Sequence, residues 1–246
     1  MTSIVFDRVS KQYFKGPRYF PSLRDFLGAL ATGKKVEYEK FYAVRDMTFA
    51  INRGESVGFV GNNGAGKTTL LKLISRVALP DRGTIKTEGK IAGLLELGAG
   101  FHPELTGREN IMFNGMLLGN SKQEMAEKYE KILEFSGLKS FIDMPVKHFS
   151  SGMYARLGFA VAIFTDPDVL LVDEVLSVGD EAFQNKCIEK MEVFFGSEQK
   201  TVVFVTHNLD LMKRFCNRVL WIDKGRIRSD GNAREVVDEY RKSQVV

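Results

Sequence analysis

The sequence predicts an α/β fold: a mostly parallel core sheet, an antiparallel β edge and a helical insertion. Three observations carry this reading. Apolar strand runs at residues 56–60, 169–172, 201–205 and 219–222 are separated later in the chain by helical stretches at 181–195 and 209–215. A glycine-rich turn joins the first run to a helix that begins near Lys67, which is half of a βαβ unit. Between Thr106 and Phe164 the pattern becomes helical, with Met125, Tyr129, Ile132, Leu133 and Phe135 close to the i, i+3, i+4 spacing. The whole chain, residues 1–246, reads as one domain with a helical subdomain at about residues 97–165.

The first element is an edge strand carrying Ile4, Phe6 and Val9, and the strand pattern resumes at Val44, Met47, Phe49 and Ile51. Two such strands ordinarily form a hairpin. Here an insertion at about residues 15–40 separates them, far longer than the usual connection of roughly two to six residues. The first ten residues lack the basic patch and apolar stretch of a signal peptide. The apolar stretch at 157–164 stops at Thr165 and Asp166, so no run reaches the ~18 residues of a membrane-spanning helix. With 44% hydrophobic residues the chain can bury a core, which excludes global disorder. A net charge of +4 suits phosphates, anionic lipid and nucleic acid alike and selects none of them. Cys187 and Cys216 show neither CxxC nor zinc-ligand spacing with histidine, which points to a reducing cytoplasm rather than a disulfide framework.

The chemistry begins at Gly61-Asn62-Asn63-Gly64-Ala65-Gly66-Lys67-Thr68-Thr69, which satisfies G-x-x-x-x-G-K-[ST] directly after a strand and before a helix. Glycines let the backbone curl so that successive N–H groups face phosphate oxygens, and the helix start adds positive dipole. Lys67 then reaches the β and γ phosphates, and the Thr68 hydroxyl can ligate Mg²⁺. The strand at 169–172 ends in Asp173 and Glu174, where buried carboxylates need a purpose. Asp173 suits Mg²⁺, directly or from behind its water ligands, and Glu174 is placed to polarise an attacking water. The strand at 201–205 leads to Thr206 and His207, which such folds bring near the γ-phosphate because functional loops lie beyond the carboxyl ends of the strands. His102 and His148 fall in loops of the helical half, and His102 reads as structural.

Phe149-Ser150-Ser151-Gly152-Met153 resembles L-S-G-G-Q, the signature of the ABC transporter ATPases, and the resemblance covers the chain outside residues 14–41. Physically, Ser150 caps a helix running to about Phe164, and its start is an anion site. The resemblance implies a P-loop NTPase core and binding of ATP with Mg²⁺. It also implies that Ser150, Ser151 and Gly152 complete the ATP site of a second copy in a head-to-tail homodimer. Ser177-Val178-Gly179-Asp180 resembles the D-loop, with Asp180 contacting across that dimer. Tyr13 stands where the family stacks an aromatic on adenine, with Tyr38 or Tyr42 as alternatives beside the insertion. The family's Q-loop glutamine is missing, since no Gln occurs between Gln12 and Gln123, and Glu96 is assigned as its stand-in and as a metal contact.

The stretch L-L-E-L-G-A-G-F-H-P-E-L-T-G-R-E-N at 94–110, with S-S-G-M and V-G-D, resembles the ATPases of bacterial surface-polysaccharide exporters. That resemblance implies ATP hydrolysis driving transport of a lipid-linked glycan, an integral-membrane partner subunit and a peripheral position on the cytoplasmic face of the inner membrane. Some members carry a C-terminal carbohydrate-binding domain, for which a chain ending at Val246 leaves no room; either it is dispensed with or the chain is shortened. Competing readings are an ABC ATPase for a drug or lipid, and a non-transport switch on nucleic acid. One ATPase unit without sustained heptads argues against the latter, so no nucleic-acid partner is expected. Within the insertion, Tyr19, Phe20, Leu23, Phe26, Leu27 and Leu30 recur at near-helical spacing behind Pro21, flanked by Arg18, Arg24, Lys34 and Lys35. Such a stripe packs on the protein's own sheet or docks on the membrane partner or lipid headgroups.

Overall fold

A computed structural model of the chain describes residues 2–15, 39–94, 97–98, 100–173 and 179–244. The apolar insertion stripe, Tyr38, Glu96, Glu174, Ser177 and Val178 lie outside the described residues. Strands β1 (Thr2–Lys15) and β2 (Glu39–Asn52) pair antiparallel, from Thr2 opposite Asn52 to Lys15 opposite Glu39. Both arms therefore run farther toward the insertion than the apolar pattern indicated. On its other side β1 pairs with β4 (Arg82–Thr87), so β1 is the central strand of the sheet β2-β1-β4 and not the edge strand that its apolar pattern indicated; β4, far along the chain and weakly apolar, gave no sign of this pairing.

The second sheet has the order β5-β6-β7-β3-β8-β9. Its members are β3 (Ser56–Val60), β5 (Ile91–Gly93), β6 (Val169–Asp173), β7 (Thr201–Val205), β8 (Arg218–Asp223) and β9 (Arg226–Asn232). All neighbours pair parallel except β8 and β9, joined by a tight hairpin. At that hairpin Lys224 and Gly225 take φ of 47° and 75°, the positive pair a type I′ turn requires. Each central strand is buried on both faces, which explains its unbroken apolar run. Val169 and Leu171 face one core while Leu170 and Val172 face the other; Val203 and Val205 alternate with Val202 and Phe204 in the same way.

One core lies between the two sheets and encloses α1 (Lys67–Ile74). The other lies under α5 (Glu181–Phe195), α6 (Leu209–Phe215) and α7 (Ala233–Ser243). The helical block comprises α2 (Gly107–Leu117), α3 (Lys122–Ser136) and α4 (Ser151–Phe164) around a third core of Ile111, Met125, Ile132 and Leu157. Helices α2 and α3 each begin with a capping box, Thr106 with Glu109 and Ser121 with Glu124.

Candidate nucleotide site

The glycine turn begins where β3 ends. Gly61 has φ 152°, and a Cβ there would lie 2.2 Å from the carbonyl oxygen of Ile222 at the end of β8. Only glycine lets the chain pass that point. Lys67 is buried, and its Nζ donates to the carbonyl oxygens of Gly61 at 2.6 Å and Asn62 at 3.1 Å. Ala65 N–H donates to the Asn62 carbonyl at 3.1 Å, closing the turn from within. This leaves Asn63, Gly64, Gly66, Lys67, Thr68 and Thr69 lining an open cleft of about 760 Å³.

Neighbouring parallel strands bring the remaining chemistry to the same end of the sheet. Asp173, half-buried, closes β6 opposite Val205, the last residue of β7. His207 follows β7 by two residues in an exposed turn. That turn is tied by Asn208, whose N–H donates to Thr206 Oγ1 at 3.1 Å and whose side chain caps α6. Asp173 and His207 both line the cleft.

The cleft's remaining wall is aromatic. Tyr13 on β1 and Phe41 on β2 face each other across the strand pair, ring centroids 6.0 Å apart, with Lys11 Nζ 5.7 Å from the Tyr13 centroid. Asp81 secures this stretch of β1, accepting from Gln12 N–H at 2.6 Å and Lys11 Nζ at 3.2 Å. The Gln12 N–H, reinforced by Lys11, holds the Asp81 carboxyl below its ordinary value. Tyr42 points to a different groove, among Arg8, Arg45 and Arg226, so among the described alternatives Tyr13 is the tyrosine at the cleft.

Ser150, Ser151 and Gly152 do not line that cleft. They start α4, where Ser150 Oγ accepts from Met153 N–H at 3.2 Å. Six residues on, Arg156 pairs with Asp180, which also caps α5 by accepting from Phe183 N–H at 2.9 Å. The Phe183 N–H first, then Arg156, lower the Asp180 carboxyl below its usual range. Asp180 thus couples the signature helix to the following helix within one chain, a link the sequence did not disclose.

Much of the exporter-like stretch serves the fold. Asn110 is fully buried; its amide donates to the carbonyls of His102, Leu105 and Thr106, and its Oδ1 accepts from His102 N–H at 2.7 Å. His102 Nδ1 is used locally as an acceptor for Glu104 N–H at 3.3 Å, in keeping with a structural role. Gly98 lies against Tyr154, whose hydroxyl donates to the Gly98 carbonyl at 3.0 Å. Phe41 and Arg156 escaped sequence reasoning because strand register and helix packing, rather than any local spacing, bring them into place. The Tyr13–Phe41 pairing becomes visible only once the register across the insertion is known.

Comparison with known proteins agrees with this geometry. A family profile described as ABC transporter matches residues 44–177. The O-antigen export system ATP-binding protein of Klebsiella pneumoniae is 47% identical over 204 residues, covering 83% of this chain and 82% of that protein. The teichoic acids export ATP-binding protein of Bacillus anthracis is 38% identical over 237 residues, covering 96% of this chain and 42% of that protein. Among solved structures, a dimeric ATP-binding cassette in a post-hydrolysis state with ADP and Pi shares the fold. Its TM-score is 0.72 at 21% identity, over 94% of this chain and 98% of that one. With a phosphate loop, a strand-end carboxylate and a histidine gathered on one α/β sheet, and with relatives that match most of its length, the chain belongs to the ABC transporter family, among its ATP-binding and ATP-hydrolysing subunits.

Proposed function

We propose that this chain is the motor of an exporter that moves a lipid-linked surface polysaccharide across the bacterial inner membrane, acting from the cytoplasmic face as a homodimer bound to a membrane-spanning partner. The observation that carries this reading is the division of the site. The phosphate loop, Asp173, His207 and Tyr13 share one cleft, while the signature residues Ser150, Ser151 and Gly152 stand outside it. A second copy, placed head to tail, would supply what each cleft lacks. The polysaccharide cargo is supported by relatives whose names specify O-antigen export and teichoic acids export.

In this reading Tyr13 stacks on adenine, and the N–H groups of residues 61–69 face the phosphates. Lys67 exchanges the loop carbonyls for β and γ phosphate oxygens. Thr68 and Asp173, both at the cleft, fit Mg²⁺ as it is commonly held, by a few protein oxygens together with substrate phosphates. The ion supplies neutralisation of phosphate charge. Glu174 orients the attacking water, Glu96 takes the Q-loop position near the metal, and His207 contacts the γ-phosphate. Among the described residues no helix is long and apolar enough to cross a membrane. In this reading the membrane-spanning partner supplies the translocation path. An apolar groove between α1 and α2 suits that partner: Val77 and Leu118 line it, and Val77 and Leu117 are well exposed.

The division of the site is tested by mixing two inactive variants. Lys67→Ala and Ser150→Arg should each abolish ATPase activity alone. Together they should recover up to about a quarter of wild-type turnover, since statistical pairing makes half the dimers mixed and each mixed dimer keeps one intact site. No recovery at any mixing ratio would mean that one chain builds a whole site.

A further inference from the structure

The C-terminal helix reaches the phosphate loop. Tyr240 on α7 donates its hydroxyl to Asn62 Oδ1 at 3.0 Å, a contact between residues 178 apart in sequence. Its ring rests edge-on against Trp221, with centroids 5.5 Å apart. Trp221 in turn is the strand partner of Val60, the residue immediately before the loop. Two ion pairs, Arg241 with Asp210 and Lys213 with Asp238, fasten the same helix to α6, which begins two residues after His207. Helix α7 therefore bears on both loops that frame the cleft.

Asn62 is the hinge of this arrangement. Its backbone carbonyl accepts from both Lys67 Nζ and Ala65 N–H, so its position governs the curl of the loop and the resting place of the lysine. Its side chain does not line the cleft. Chemistry at the phosphates gives no reason for an asparagine there; the tyrosine does.

We propose that Tyr240 is a positioning residue for the phosphate loop: by holding the Asn62 side chain it fixes the loop curl that aims the backbone N–H groups and Lys67 at phosphate. This rests on the reading of the cleft as the ATP site. The geometry predicts an effect on nucleotide affinity rather than on the chemical step, because Asn62 holds the loop and Lys67 that grip phosphate, whereas Glu174, assigned to water activation, belongs to a different part of the chain.

Tyr240→Phe keeps the ring against Trp221 and removes only the donor, while Asn62→Ala removes the acceptor. Calorimetry of the full chain with ADP should show Kd raised about three- to tenfold in each single variant, the usual range for one lost hydrogen bond. The double variant should be no weaker than either single one, because both act through one contact. Steady-state ATPase should show KM raised in parallel, with kcat within about twofold of wild type. Trp221, the one tryptophan of the chain, reports whether α7 stays docked: its emission should be unchanged in Tyr240→Phe. If α7 detaches in that variant, Asn62→Ala alone carries the test, since it leaves every other α7 contact in place. Unchanged ADP affinity in the single variants, or additive losses in the double one, would overturn the proposal while leaving the ATP site intact. A wild-type chain that binds neither ADP nor ATP would overturn the site reading and the proposal with it.

Discussion

Gly66 marks the point where the phosphate loop meets the antiparallel edge of the molecule. Its φ is 113°, and a Cβ there would lie 2.2 Å from the Ala43 carbonyl oxygen of β2. Gly64 has φ 78° with nothing within 4 Å of the same hypothetical atom. Two glycines of one motif thus answer to different demands, close packing at one and backbone conformation at the other. Gly66→Ala should lower unfolding stability by at least about 2 kcal/mol, because strain and collision add. Gly64→Ala should cost only about 1 kcal/mol, the ordinary penalty for a left-handed alanine. Urea denaturation of both variants decides this, and equal losses would refute the packing argument. That Lys67, Thr68, Asp173 and His207 gather at one cleft was legible in the sequence, because the phosphate-loop pattern and polar residues following apolar strands mark one end of a parallel sheet. Phe41 and Tyr240 were not, since their contacts depend on strand register and on a helix docked from far along the chain.

At the level of the element, legibility followed burial. The apolar runs of β3, β6 and β7 announce themselves because both faces are covered, whereas β4 and β9 alternate exposed with half-buried residues and look like loop. The turn between β8 and β9 left a local signal in Lys224-Gly225, weaker than an Asn-Gly pair would have been. Helix α3 could have been bounded from Ser121 and Glu124 alone, since Ser-x-x-Glu before an apolar stripe is a helix start. That box also predicts a pH dependence. The Ser121 N–H, then its hydroxyl, hold the Glu124 carboxyl down at about 2 against an ordinary 4.5. A carboxyl depressed by folding stabilises the fold above its unfolded value, and that contribution is lost as pH falls from 4.5 toward 2. Wild type should therefore exceed Glu124→Gln in urea midpoint at pH 7, with the gap closing on acidification. A gap that stayed constant with pH would exclude this assignment.

Across the whole molecule, the cores leave no reactive thiol at the surface. Cys187 and Cys216 are both buried and free, and burial pushes the Cys187 thiol up to about 12 and that of Cys216 further in the same direction. A thiol reagent such as dithionitrobenzoate should label neither cysteine in the native state and both after denaturation. Rapid native labelling of either one would show that the core under α5 and α6 opens readily. The β1–β2 hairpin has a different kind of consequence. Because pairing continues to Lys15 opposite Glu39, the chain leaves and re-enters the domain at adjacent points. The two ends of the connection are thus held together by the strand pairing itself. Each doubling of a flexible loop closed at such a gate costs only about 0.6 kcal/mol, so length there is nearly free. The paired residues Lys15 and Glu39 are in that sense a socket, two fixed adjacent anchor points at which a flexible linker of varied length can be closed at little entropic cost.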